Sequence, residues 1–129
     1  MNKQGPVMLV IPGTLPNLND YIAALDTSRH KGNLLKRKTE HIIILCAKTQ
    51  LRGVSFKAPV VMRYTWYEPN RRRDKSNISA FGRKCIEDAL VRAGVLKNDG
   101  WGEIDSFSDR FFVDKKKPRV EVEIMPTAQ

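Results

Sequence analysis

The chain has no long hydrophobic run. Its longest apolar stretch, Ile42 to Ala47, falls far short of the ~20 residues that cross a bilayer. The apolar run between Met1 and Pro12 is likewise too short for a secretory signal, so the expectation is a cytoplasmic protein with no membrane partner. Cysteine is scarce. Cys46 and Cys85 both sit in apolar helical patterns without CxxC or Cys/His clustering, which points to buried thiols and away from zinc or a disulfide. Only two histidines occur, His30 and His41; they lie apart with no nucleophile pattern, so both read as solvated or helix-surface residues. Acid is also short, with 14 Asp+Glu against 23 Lys+Arg and a formal charge of +9.

What is present is enough for one folded basic domain. At 129 residues the chain suits a single domain over 1–129, and 41% hydrophobic content supports a packed core and argues against global disorder. The acids are unevenly placed: residues 1–65 carry three, against ten Lys+Arg, whereas residues 66–129 carry eleven against thirteen. A purely electrostatic nucleic-acid binder gains nothing from carboxylates beside its arginines, because each repels phosphate. Metal-dependent phosphodiester chemistry needs that mixture.

Periodicity predicts a strand over Val7 to Ile11, closed by Pro12 and Gly13, then a short helix capped by Asn17 or Asn19 and running to about Leu25. Asp26 to Asn33 reads as a polar loop. Leu34 to Gln50 reads as an amphipathic helix with Leu34, Leu35, Lys38, Ile42, Leu45, Cys46 and Thr49 on one stripe and Lys36, Arg37, Glu40 and Lys48 outward. Val60 to Tyr67 alternates as a strand, with Tyr64 and Trp66 most simply in the core. Asn77 to Ala93 is a helix, with Asp74, Ser76 or Asn77 as caps and Gly94 as its end. Ile104 to Val113 and Arg119 to Met125 read as strands joined by the turn Asp114 to Pro118. The expected fold is therefore α/β (α+β): a mixed four-stranded sheet with helices against it, a βαβ crossover and a C-terminal hairpin.

The segment richest in chemistry is Arg71-Arg72-Arg73-Asp74-Lys75-Ser76-Asn77, at a strand-to-helix junction. Such a junction offers backbone N–H groups and a favourable dipole to an anion, and the arginines add phosphate grip. After the helix comes Lys97-Asn98-Asp99-Gly100-Trp101, whose loop returns to the sheet and can bring Asp99 toward Asp74. Two carboxylates beside arginines suit Mg²⁺, or Mn²⁺ in its place, which polarises a phosphodiester for in-line attack. Lys84 shares a helical face with Asn77 and can neutralise developing charge, while an ion pair with Asp88 is its compatible structural role. Helix capping is the plain alternative for Asp74, and a solvated turn for Asp99. Lys75, Arg83, Lys97 and the run Lys115-Lys116-Lys117 extend the basic set available to DNA, although the last run also reads as a solvated turn. Trp101, between two glycines, can stack on a base.

These residues resemble the core motif of RusA-type Holliday junction resolvases: the Arg-rich stretch leading to Asp74 and Asn77, then Lys84, Asp88-Ala89-Leu90, Ala93-Gly94 and Asn98-Asp99. The segment Ile11-Pro12-Gly13 through Leu15-Pro16-Asn17-Leu18-Asn19-Asp20-Tyr21-Ile22 is similar to the prophage-type branch, so the resemblance spans nearly the whole chain. It implies that Asp74 and Asp99 are catalytic metal-binding aspartates and Lys84 the catalytic lysine; Ser76 or Asn77 and Asp88 are further candidates at the metal site, Asp88 reading equally as structural from its helical position. It also implies a homodimer that nicks four-way or branched DNA symmetrically in recombination and repair. One position departs: Ser76 stands where the family usually has its middle catalytic aspartate, and a neutral hydroxyl is a much weaker Mg²⁺ ligand. Two alternatives stay open, a non-catalytic structure-specific DNA-binding protein and a single-stranded nucleic-acid binder, the latter without a recognisable RNA-binding motif.

Overall fold

The computed structural model describes residues 4–127. The elements run β1 (Val7–Pro12), α1 (Leu18–Thr27), α2 (Arg29–Gln50), β2 (Val60–Glu68), α3 (Lys75–Arg92), β3 (Ile104–Val113) and β4 (Arg119–Pro126). They build one open, mixed sheet in the order β1-β4-β2-β3, with β2 and β3 parallel and β4 antiparallel to both β1 and β2. Along β2 the even positions Val60, Met62, Tyr64 and Trp66 are buried and the odd ones are not, so one face packs and the other meets solvent. Leu9, Ile11, Val122 and Ile124 from β1 and β4 meet Ile78, Phe81, Cys85, Ile86 and Leu90 of α3 in the core. Gly82 lets α3 lie close to the sheet, since a Cβ there would stand 2.8 Å from the Trp66 ring. Among the described residues no helix is long and apolar enough to cross a membrane.

The β2-α3-β3 unit is the expected parallel crossover. The expected hairpin is not formed, because β3 and β4 flank β2 instead of pairing with each other. The turn between them is long enough to step over the end of β2, where the Asp114 amide donates to the Glu68 carbonyl (2.8 Å). A two-residue turn would have forced pairing; the five residues Asp114 to Pro118 do not.

Two other expectations are corrected. The polar loop over Asp26 to Asn33 is mostly helix: Ser28 ends α1 and also caps α2, its hydroxyl accepting from the Lys31 amide (3.0 Å), and Gly32 lets the two helices meet at Leu25. The buried face of α2 is also rotated from the apolar stripe. Thr39, Glu40, Ile43 and Ala47 face inward, whereas Ile42 and Leu45 are 52% and 54% exposed. Opposite charges accompany Ile43 and Ala47 on this face. Lys36 lies 3.2 Å from Asp88, and Glu40, only 3% exposed, lies 3.5 Å from Arg92, so α2 docks on α3 through opposite charges. Burial nonetheless raises the Glu40 pKa despite Arg92 and Lys36.

At the β1 edge, the Gln50 side chain donates to the Val10 carbonyl (2.7 Å) and accepts from the Val10 amide (2.8 Å). These backbone groups would otherwise face outward, so the amide occupies that edge as a further strand would. The opposite edge, β3, is ten residues long and among the described residues pairs only with β2.

Candidate active site

Because β1, β2 and β3 point the same way, their C-terminal ends gather with the start of α3 at one end of the sheet. There Asn70, Arg71, Arg73, Asp74, Lys75, Ser76, Phe111 and Phe112 help line a cleft of about 660 Å³. Asp74 is the N-cap residue of α3 by backbone geometry, yet its side chain makes no capping hydrogen bond. The carboxylate is exposed and uncommitted at the helix N-terminus, which weakens helix capping as its role. Ser76 is exposed on the first turn beside it, and Asn77 is half-buried.

The arginines divide by task. Arg71 and Arg72 are exposed, the Arg72 amide donating to the Asn70 side chain (3.0 Å). Arg73 is occupied. Its Nε and Nη2 donate to the two carboxylate oxygens of buried Glu68 (2.9 Å each), and Nη1 donates to the Leu15 carbonyl (2.8 Å). It therefore ties the site loop to the end of β2 and to the loop after β1, leaving no fork for a phosphate. Arg83 is similarly taken, donating to Asp109 Oδ2 (2.7 Å) and lying over the Phe107 ring at 4.2 Å; Asp109 Oδ1 in turn accepts from the Trp66 indole (2.9 Å). The Lys75 ammonium lies 5.8 Å from the Phe111 ring centre, and Lys115, Lys116 and Lys117 are exposed. Asp114 Oδ1 accepts from the amides of Lys117 (3.0 Å) and Lys116 (3.2 Å), so the acid shapes the turn while its lysine side chains face water. Sequence reasoning missed Glu68, although strict alternation along β2 puts it on the inward face after Trp66.

Asp99 does not join Asp74 within the chain. A parallel crossover returns the chain to the opposite end of the sheet, and Asp99 is bonded there by Lys84 Nζ (2.8 Å). From Asp74 to Lys84 the helix rises about 15 Å at 1.5 Å per residue. Lys84 also lies 3.3 Å from Asp88, whose other oxygen lies 3.2 Å from Lys36. The bond to Asp99 is the main cause lifting the Lys84 pKa to about 12, and Lys84 in turn holds Asp99 below the usual carboxylate range. Lys84 is thus a permanent cation near neutral pH, suited to stabilising negative charge and not to general-base work. Its neighbour Glu87 accepts from the Tyr64 hydroxyl (3.1 Å), and burial raises its pKa. Lys97 is exposed beside this second cluster, and Trp101 projects fully into solvent.

Among the described residues no three acidic, histidine or cysteine side chains converge as a metal-binding group. In one chain the cleft presents a single carboxylate, Asp74, beside the Ser76 hydroxyl, which falls short of the paired aspartates the sequence suggested. No protein-family model matches the chain, and no curated protein matches it either.

Proposed function

We propose that the chain is a divalent-metal-dependent endodeoxyribonuclease of the RusA type, acting as a cytoplasmic homodimer on four-way or branched DNA in recombination and repair. The observation carrying this reading is the uncapped Asp74 carboxylate in a cleft bordered by Arg71 and Lys75 at a helix N-terminus. Phosphate suits the helix dipole and the cations, and the Asp74 carboxylate, which would repel that phosphate, suits a divalent cation placed between the two. Pairing of two copies supplies the missing acid. β3 has a free edge, and antiparallel pairing of two such edges about a two-fold axis turns one copy end for end. The Asp74 end of one copy then meets the Asp99 and Lys84 end of the other. Mg²⁺ or Mn²⁺ bound between the two aspartates would supply Lewis-acid polarisation of the scissile phosphate. The chain's own residues then divide the work: Arg71 and Lys75 hold the strand, Arg73 fixes the loop that carries Asp74, and Lys84 of the second copy neutralises charge developing at phosphorus.

The test is incubation of the purified protein with a synthetic four-way junction, with and without Mg²⁺ or Mn²⁺. Symmetric nicks requiring the metal are expected. Mixing inactive Asp74→Asn with inactive Asp99→Asn should restore nicking, because a mixed dimer has one intact composite site. Two variants that stay inactive when mixed would rule out the shared site. A second reading is favoured by Ser76: with a hydroxyl where a further carboxylate would strengthen metal binding, the chain is a structure-specific DNA-binding protein without catalysis. Junction binding with no cleavage under any divalent ion would select it.

A further inference from the structure

We propose that the open face of the sheet, at its Asp74 end, is a stacking platform for an unpaired DNA strand leaving the cleft; this rests on the nuclease reading and adds a second contact site to it. The strand register places Phe112, Tyr67 and Arg119 side by side across β3, β2 and β4. The Tyr67 and Phe112 rings are stacked with centres 5.6 Å apart, and the Arg119 guanidinium lies 3.8 Å from the centre of the Tyr67 ring. These three flat groups form a continuous row on the face that the helices leave bare. Phe112 is 45% exposed and also borders the cleft, so the row begins where the Asp74 site ends.

The chemistry of the row fits bases better than phosphates. Arg119 donates from Nε to Glu121 (2.8 Å) and from Nη1 to Asp114 (2.9 Å), which fixes its plane over Tyr67 and offsets its charge. Tyr67 is stacked between Arg119 and Phe112, so the ring face open to an incoming base is the outer face of Phe112 at the end of the row, and phosphate grip falls to Lys115, Lys116 and Lys117 on the adjoining turn. Paired bases hide their faces inside the duplex, so such a row selects unpaired strand. A cross-strand aromatic pair also stabilises a sheet by itself. That role, however, needs neither an exposed ring at the mouth of a cleft nor an arginine pinned flat in the same row. Arg110, 5.4 Å from the Phe112 ring, covers it loosely and would swing aside when a base stacks.

The experiment uses the full chain, with fluorescence anisotropy of a labelled oligo-dT strand, a blunt duplex of the same length and an oligo-U strand. Phe112→Leu keeps an apolar side chain but removes the π face, and Phe112→Tyr keeps both. The ratio of oligo-dT to duplex affinity should fall about tenfold in Phe112→Leu, about 1.4 kcal/mol, and stay near the parent value in Phe112→Tyr, with the salt dependence of oligo-dT binding unaltered in both. Thermal melting of each variant separates stacking from folding. An unchanged ratio in a folded Phe112→Leu, with junction cleavage by the parent protein intact, would overturn the platform and leave the nuclease reading standing. Oligo-U binding more tightly than oligo-dT would overturn the assignment to DNA, and failure of the parent protein to bind any DNA would overturn both readings.

Discussion

At the scale of single residues, the outcome turns on which charges are spent inside the molecule. Arg73 spends its guanidinium on Glu68 and the Leu15 carbonyl, whereas Arg71 is exposed. Arg73→Ala should therefore lower stability by about 1–3 kcal/mol in urea unfolding, since it strands a buried carboxylate, yet leave the salt dependence of DNA binding nearly unchanged. Arg71→Ala should do the reverse, reducing the magnitude of that slope by about 1. The Lys84–Asp99 pair makes a second prediction. Asp99 has a lowered pKa, so its contribution is present above the ordinary aspartate value and is lost as pH falls through its own lower one. Lys84 has a raised pKa, so its contribution is present below the ordinary lysine value and is lost as pH rises through about 12. More than half of the Lys84 side chain is exposed, which keeps the pair's stabilisation below about 1 kcal/mol. Asp99→Asn should bring the Lys84 pKa back toward that of a free lysine, as followed by NMR titration of its ammonium group. None of this division was readable from Arg71-Arg72-Arg73 alone, because three adjacent arginines look alike until Glu68 and Leu15 are placed beside one of them.

At the scale of elements, spacing is the strongest constraint. Gly82→Ala sets a methyl against the Trp66 ring, which is itself buried and bonded to Asp109; a loss of about 1–3 kcal/mol in thermal unfolding is expected, with Gly82→Leu worse. The strands and α3 were legible almost to the residue, because period-two alternation over Val60–Glu68 and the Gly94 stop each have one physical reading. On α2 the apolar stripe was a poor guide to the inward face. The stripe through Ile42 and Leu45 lost that face to Thr39, Glu40 and Ile43, and the same face carries the partners of Asp88 and Arg92. The expected meeting of Asp74 and Asp99 within one chain is prevented by topology: a parallel crossover separates the two ends of its helix, whatever the sequence spacing.

At the scale of the whole molecule, a net charge of +9 meets a sheet with one closed edge and one free one. If dimerisation uses the β3 edge, a proline at Phe107, whose backbone amide the parallel register turns away from β2, should lower the dimer fraction in sedimentation at micromolar concentration, while a substitution at Gln50 should not. The position of β4 has a consequence of another kind. This strand is made after β3 yet lies between β1 and β2, so β1 has no strand partner until about 110 further residues have been synthesised. The unit β2-α3-β3 is local and can assemble early; β1 and the α1–α2 pair must wait for a late strand to slide into the gap and join them. On the ribosome the order of assembly is therefore not the order of synthesis, since the strand made last is the one that joins the first to the rest of the sheet.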